Sequence, residues 1–288
     1  MNQEYTHMTQ SNPLGQFFRK PGLNVRLPSG GKFYKVPPKV TIDGEIAVFP
    51  MTAKDELLIK NADSLLNGDA IVSLIKSCVP DIDDPREMPN PDLDAILLAI
   101  RKATYGDKIE VTATCPCEEW KGTYSISVDN LLMQVNDIDD FNQVELDNQL
   151  IVNLKPSTLH DQNKLGLTQF ENVRKLQAAE NINDERVKIA ANNEVVSRNI
   201  LLTQDIIANG VVNVALPDGN VVADPAQIRE WIGQLEVNDF KKIEDKLGMI
   251  NKSGMATKTS VGCGKEGCER KFDLDFTLDP VSFFAPGS

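Results

Sequence analysis

Four of the five cysteines in this 288-residue chain lie in two short clusters, and no other feature constrains the fold as strongly. Cys115 and Cys117 are separated by one residue in "TATCPCEEWKG", residues 112–122. Cys263 and Cys268 are separated by four residues, two of them glycines, in "TSVGCGKEGCERKF", residues 259–272. Each pair lies between segments whose polarity alternates as in the strands of a β-hairpin. The sequence therefore predicts two hairpins with cysteines at their tips.

Two thiolate pairs at tight turns can present four sulfurs to one cation, and a tetrahedral four-sulfur site suits Zn²⁺. The polar N-terminal sequence lacks the apolar core of an export signal, so we expect the cysteines to mature in a reducing cytoplasm. In that compartment clustered thiols bind metal more often than they form disulfides, although free thiols are the other alternative. We predict that Cys115, Cys117, Cys263 and Cys268 bind zinc, with an iron–sulfur cluster as the alternative cofactor.

A closed four-sulfur site has no open coordination position, so its predicted role is structural rather than catalytic. Such a site would link the β-region near residue 115 to the hairpin near residue 265, and the segment between them would be a long, mainly helical insertion. The fifth cysteine, Cys78, has apolar neighbours in a predicted helix and is expected to be a buried core thiol.

Composition excludes several other classes of protein. The formal net charge of −12 argues against nucleic acid or an anionic membrane as the main partner. The sequence contains no stretch of about 18 apolar residues, so we predict no membrane-spanning helix. The two histidines, His7 and His160, leave little material for histidine-based acid–base catalysis. Because the sequence has no nucleophile–base pattern, open metal site or phosphate loop, we do not expect an enzyme.

The periodicity of apolar residues predicts an α+β fold. Alternation predicts hairpins within residues 39–50, 108–128, 144–156 and 211–222, the first of them around Asp43 and Gly44. Thr52, followed by Asp55, has the pattern of a helix N-cap. Helical spacing predicts an amphipathic helix over 92–106 that ends at Gly106, and further helices from about 157 to 209.

We predict three segments: residues 1–22 form an extended arm, residues 23–156 with 256–288 form an α+β body that includes the zinc-ribbon-like hairpins, and residues 157–255 are mainly helical. Phe17 and Phe18 lie on the arm, and Phe283 and Phe284 lie in the last few residues. The aromatic pair on the arm either packs back onto the same chain or anchors a neighbouring protein. We predict all four as partner-binding residues.

Several stretches, taken in order, resemble the baseplate hub subunit and hub assembly proteins of contractile-tailed (myovirus-type) bacteriophages. They are "LPSGGKFY", "FPMTAKDELLIKNADSLLNGDAI", "PDLDAILLAIRKATYGDKIEVTATCPC" and "CERKFDLDFTLDPVSFF". The resemblance covers mainly residues 25–128 and the last thirty or so. It implies a shared α+β unit marked by Pro50, Met51, Thr52, Asp55, Glu56, Arg101, Thr104, Tyr105 and Gly106. The Cys-x-Cys spacing at 115–117 is tighter than the Cys-x-x-Cys expected of such a ribbon.

The function that this resemblance implies is a non-enzymatic structural or assembly component of the tail baseplate hub. It would bind other tail proteins, assemble in the host cytoplasm and lie in the tail of the virion. A zinc-ribbon module that binds nucleic acid or acts in transcription is the alternative. That alternative needs a basic surface, but nearby glutamates offset Lys265, Arg270 and Lys271. A metal-dependent enzyme is a third possibility, for which only His160 is available outside the arm.

Overall fold

The computed structural model describes residues 13–61, 68–117, 121–138, 142–182, 184–253, 258–265 and 267–275. Within these residues the chain forms eight α-helices and two short 3-10 helices, Pro13–Phe17 and Pro85–Glu87. The α-helices are α1 (Ala53–Ile59), α2 (Asp69–Cys78), α3 (Asn90–Tyr105), α4 (Val128–Met133), α5 (Leu159–Glu180), α6 (Glu185–Gly210), α7 (Pro225–Ile232) and α8 (Val237–Lys252). None of the helices in the described ranges is long and apolar enough to cross a membrane.

The strands form small antiparallel sheets, which confirms the predicted α+β class. In the described part of the chain, three sheets have two strands each, with the pairs β1–β2, β3–β4 and β9–β10, and one sheet has four strands in the order β5-β6-β7-β8. The strands are β1 (Leu23–Arg26), β2 (Glu45–Val48), β3 (Lys108–Thr114), β4 (Lys121–Ser127), β5 (Gln143–Glu145), β6 (Ile151–Leu154), β7 (Val211–Ala215), β8 (Val221–Val222), β9 (Lys258–Gly262) and β10 (Lys271–Asp275).

The second strand of one predicted hairpin pairs with a different segment from the one expected. The Asp43–Gly44 turn exists, and Gly44 takes a φ of 73°. However, β2 pairs with β1, residue Leu23 opposite Val48, and not with residues 39–42. The physical reason is burial: this pairing places Val25, Ile46 and Val48 in the core, whereas Ile42 is fully exposed.

Buried apolar side chains form two clusters. The first is centred on α2 and α3 and includes strands from both ends of the chain, because Leu274 of β10 lies in the same cluster as Val25 of β1. The second joins the four-stranded sheet to the end of α6 and to α7 and α8, and it includes Val152, Val214 and Ile243. The predicted division of the chain after residue 156 stays a prediction, although β5 and β6 contribute to the second cluster.

A buried carboxylate fixes the turn-rich segment after β1 to the start of α3. Asp92 is fully buried and accepts hydrogen bonds from the Ser29 backbone N–H (2.8 Å), the Ser29 hydroxyl (2.5 Å) and the Tyr34 hydroxyl (2.8 Å). Burial raises the pKa of Asp92 to about 6, and the hydrogen bonds from Ser29 and Tyr34 oppose this rise. The carboxyl group therefore titrates closer to neutrality than an ordinary aspartate does.

This titration predicts a pH-dependent stability. The pKa of Asp92 lies above its ordinary value of 3.8, so the folded state binds the proton more tightly than the unfolded state does. The contribution is fully present below about pH 4 and is lost as the pH rises through about 6. Between pH 7 and pH 5 the free energy of unfolding of the native protein should rise, relative to that of Asp92→Asn, by about 1 kcal/mol. Urea unfolding at both pH values measures this difference, and a difference independent of pH would contradict the assignment.

Candidate metal centre

The two cysteine pairs lie at the tips of the hairpins β3–β4 and β9–β10. Thr114 pairs with Lys121 at the end of the first hairpin, and Cys115 follows directly. Gly262 pairs with Lys271 at the end of the second, and Cys263 follows directly. Because each strand pair holds its turn in a fixed register, the cysteines project from rigid elements even though Cys117 and Cys263 are 146 positions apart in the chain.

The sulfur atoms of the four cysteines lie close together in the structure. The Sγ atoms of Cys115, Cys117, Cys263 and Cys268 all lie within 4.8 Å of one another, and those of Cys117 and Cys263 are 3.9 Å apart. Four thiolates bound at about 2.3 Å from one tetrahedral Zn²⁺ would lie about 3.8 Å apart. A disulfide requires a separation of about 2.0 Å, and all five cysteines are free. The donor set and its spacing therefore fit one tetrahedral cation, as predicted from the sequence.

The backbone at each tip is arranged to support charge on sulfur. The N–H of Cys117 donates to Cys115 Sγ, and the N–H of Lys265 donates to Cys263 Sγ, each at 3.5 Å. In the second tip the N–H of Cys268 donates to the Lys265 carbonyl at 3.1 Å, and Gly267 takes a φ of 80°. This φ favours glycine, as the sequence predicts for a knuckle turn. Hydrogen bonds of this kind to ligand atoms orient them and stabilise a thiolate.

The hairpins also touch outside the sulfur cluster. The Tyr124 and Phe272 rings meet edge to face, with 5.6 Å between their centroids, and Arg270 Nη1 donates to the Pro116 carbonyl at 3.4 Å. Leu274 carries the second hairpin into the first core cluster. Sequence reasoning missed these contacts. Aromatic residues at inward positions of two strands were the available signal, but only the cysteines indicated that the strands approach.

Without a cation, Cys263 holds its proton more tightly than an ordinary cysteine does. Burial, reinforced by the neighbouring thiols, raises the pKa of Cys263 to about 12. A divalent ion held by these cysteines would displace thiol protons and stabilise the thiolates directly, so its affinity would rise with pH. Cys115 is buried and the other three cysteines are partly exposed. Four sulfurs complete a tetrahedron, so the arrangement is suited to a structural site rather than to activating water.

The other predicted site residues lie away from this cluster or outside the described residues. Phe17 and Phe18 are 75% and 61% exposed, so neither packs back onto the body. Phe283 and Phe284 lie outside the described residues. Cys78 is fully buried in the first core cluster, as predicted, and His160 is exposed. Among the described residues, these four cysteines are the only cluster of histidine, cysteine or acidic side chains whose ligand atoms lie close enough together to hold one metal ion.

Comparison with known protein families supports the resemblance noted in the sequence. A family model described as T4 bacteriophage base plate protein matches residues 20–285. The chain belongs to this family. The match includes both cysteine hairpins and begins two residues after Phe18. Comparison with curated proteins and with solved structures found no match. The resemblance to phage baseplate proteins is therefore confirmed at the level of the family, which places the protein with components of the virion tail.

Proposed function

We propose that this member of the baseplate family is a non-enzymatic structural or assembly component of the tail baseplate hub. The observation that carries the proposal is the family match over residues 20–285, which spans both core clusters. The protein assembles in the host cytoplasm and docks onto neighbouring tail proteins. Its net charge of −12 suits basic protein surfaces and disfavours nucleic acid as a partner.

In this proposal the four cysteines bind one structural Zn²⁺. The support is the convergence of the four Sγ atoms to within 4.8 Å and the N–H donors directed at Cys115 and Cys263. Zinc is favoured over an iron–sulfur cluster because neither the family nor the site indicates redox chemistry. The ion stabilises the contact between β3–β4 and β9–β10, and so holds the body together during assembly.

The docking role of the arm is supported by how firmly its base is fixed. Arg19 donates from Nη1 to the Pro50 carbonyl at 2.6 Å and from Nη2 to the Ser77 carbonyl at 2.5 Å, and its Nη1 lies 3.6 Å from Asp55. Asp55 itself is buried and closes the predicted capping box with Thr52. The segment next to Arg19 nevertheless leaves Phe17 and Phe18 exposed. A fixed base with exposed aromatic side chains is suited to anchoring a neighbour.

The double substitution Phe17→Ser/Phe18→Ser tests this role. Both side chains are exposed, so the free energy of unfolding should change by less than about 0.5 kcal/mol. Incorporation of the protein into phage tails should be lost, because serine removes the apolar anchor. The measurement is complementation of a phage lacking the protein, followed by detection of the protein in purified tails.

Met133→Ser is the matched control, because Met133 is also exposed (82%) but lies on the body in α4. It should be incorporated normally. Incorporation of Phe17→Ser/Phe18→Ser at the level of this control would contradict docking through the arm. The same assay applied to Phe283→Ser/Phe284→Ser tests the second predicted pair of anchors.

A further inference from the structure

The two edges of the β1–β2 sheet differ in how the chain covers them. On the β2 side, the Glu45 N–H donates to Thr41 Oγ1 at 3.1 Å, and the Glu45 carbonyl accepts from the Thr41 N–H at 2.8 Å. The main-chain groups of Glu45 therefore point away from β1. Arg26 lies directly opposite Glu45, so it occupies a non-hydrogen-bonded position of this antiparallel pair.

The backbone of β1 is open on its outer edge. Hydrogen-bonded and non-hydrogen-bonded positions alternate along an antiparallel strand, and the Leu27 N–H does donate across to the Gly44 carbonyl at 3.1 Å. The N–H and C=O groups of Asn24 and Arg26 consequently point away from β2. Within the part of the chain that the structure describes, no further backbone hydrogen bond reaches these four groups, and both residues are exposed.

The chain itself uses this outer edge at one end only. The Pro28 carbonyl, the next acceptor along the edge, accepts from the Ile138 N–H at 2.9 Å. Arg26 Nη2 donates to Asp137 Oδ2 at 2.5 Å. Between this contact and α4, a groove of about 580 Å³ separates the segment 135–137 from β1. The edge therefore already accepts a main-chain donor at its end and is unfilled along Asn24 and Arg26.

The groove has apolar walls and an excess of negative charge. Leu23, Leu132 and Val135 line it, and each is half-buried. Its ionisable side chains are three carboxylates and two cations, namely Glu45, Asp129, Asp137, Arg26 and Lys102. Both cations pair with the aspartates, whereas the Glu45 carboxylate has no ion pair among the described residues. The groove is therefore complementary to apolar side chains accompanied by a basic one.

We propose that β1 binds an extended segment of a neighbouring tail protein, which joins the sheet as a strand beside Asn24 and Arg26. Donors and acceptors that repeat every two residues match the main chain of an extended peptide, whereas a helix has already bonded its own main-chain groups. The segment spans about 13 Å, the length of β1. It places apolar side chains against Leu23 and Leu132 and a basic side chain near Glu45. This inference rests on the proposed docking onto tail proteins and adds a contact separate from the arm.

Hydrogen exchange of the full-length protein, measured by NMR, tests the proposal. The probes are overlapping short peptides that cover the tail proteins of the same phage. In the free protein the Asn24 and Arg26 amides should exchange rapidly, and the Leu27 amide should be protected. At least one peptide should slow exchange at Asn24 and Arg26 by ~10-fold or more, because it forms hydrogen bonds with both. A complete set of peptides without this effect overturns the proposal. Protection of both amides in the free protein also overturns it, because the chain itself or a second copy then covers the edge.

Asn24→Pro tests the main-chain contact directly. Proline removes the N–H that faces the groove and places its ring in the path of an added strand, but it breaks no hydrogen bond to β2. The variant should bind the protecting peptide at least ~10-fold more weakly than the native protein does. Asn24→Thr is the matched control, because it changes the side chain and keeps the N–H, so it should bind normally. Equal binding by the two variants overturns the proposal. If Asn24→Pro does not fold, hydrogen exchange of the native protein decides alone.

A second control concerns the rim of the groove. Met133 lies there with its side chain exposed, so Met133→Ser keeps all four main-chain groups and should bind the peptide as the native protein does. Failure of this inference is distinct from failure of the proposed function. A protein that tails require, but whose β1 no peptide protects, keeps the proposed function and loses this docking site. If tails assemble normally without the protein, the proposed function itself fails, whether or not a peptide protects β1.

Discussion

The purified protein is expected to contain about one zinc ion per chain, and Cys263→Ser is expected to lose it. Replacing one of four converging thiols breaks the tetrahedral set and leaves three sulfurs without a complete site. Binding of a structural zinc is worth on the order of 10 kcal/mol at neutral pH, and this energy is available to the fold. Elemental analysis measures the ion. Thermal unfolding with and without a chelator measures the stabilisation, which should be large in the native protein and absent in Cys263→Ser.

Cys78→Ala provides the matched control for this experiment. Cys78 is a fully buried thiol outside the cluster, so its removal should reduce stability modestly and leave the zinc content unchanged. An equal zinc content in native protein and Cys263→Ser would contradict the assignment of the ligands. Iron with inorganic sulfide in place of zinc would select the iron–sulfur alternative, because the same four thiolates can hold that cluster.

Asp92→Ala is expected to destabilise the fold by about 3 kcal/mol at neutral pH. The substitution removes the acceptor for the Ser29 N–H, the Ser29 hydroxyl and the Tyr34 hydroxyl, at a position with no access to water. Buried donors without a partner cost far more than the hydrogen bonds contributed in net terms. Chemical denaturation of Asp92→Ala and of the native protein measures this loss in the free energy of unfolding.

Asp83→Ala is the control for Asp92→Ala, because Asp83 is an exposed carboxylate nearby in the chain. It should change the free energy of unfolding by less than about 0.5 kcal/mol. A loss for Asp92→Ala no larger than that of the control would show that the buried network does not fix the segment 29–34. The zinc content of both variants should equal that of the native protein, since neither residue is in the sulfur cluster.

The two cysteine hairpins could be predicted from the sequence because their signal is local. The two cysteines of each pair are close together in the sequence. Each pair also lies between two strands whose alternation of apolar and polar residues is visible without any knowledge of the fold. The step that required long-range information was the convergence of the two pairs. That convergence was inferred from chemistry, because clustered cysteines in a chain expected to mature in a reducing compartment bind metal more often than they form disulfides. Metal identity remains a prediction.

Pairing between distant segments could not be predicted in the same way. The hairpins within 144–156 and 211–222 were expected separately, and the structure joins them edge to edge through β6 and β7 into one sheet. Likewise, the pairing of β1 with β2 replaced the expected pairing across Asp43 and Gly44. Strand pairing is decided by which apolar side chains become buried, and that depends on the whole chain.

The buried network around Asp92 was missed for a related reason. Near the start of a helix a carboxylate such as Asp92 usually acts as a cap or lies in an exposed loop, so its position in the sequence does not indicate a buried role. Ser29 and Tyr34 lie 63 and 58 residues away in the chain, so no local pattern connects them to Asp92. For α6, by contrast, the helical spacing was visible in sequence, but which apolar face α5 would cover was not.

Cys117 and Cys263 are 146 positions apart in the chain, and this distance sets the order of events during synthesis. The first pair of cysteines leaves the ribosome long before the second pair exists. Until then the nascent chain has only half of its cysteine cluster and lacks Leu274 from its first core cluster. If the proposed zinc site forms, a prematurely terminated product lacks two of its four thiols, so metal binding would distinguish finished chains from truncated ones before they reach a growing tail.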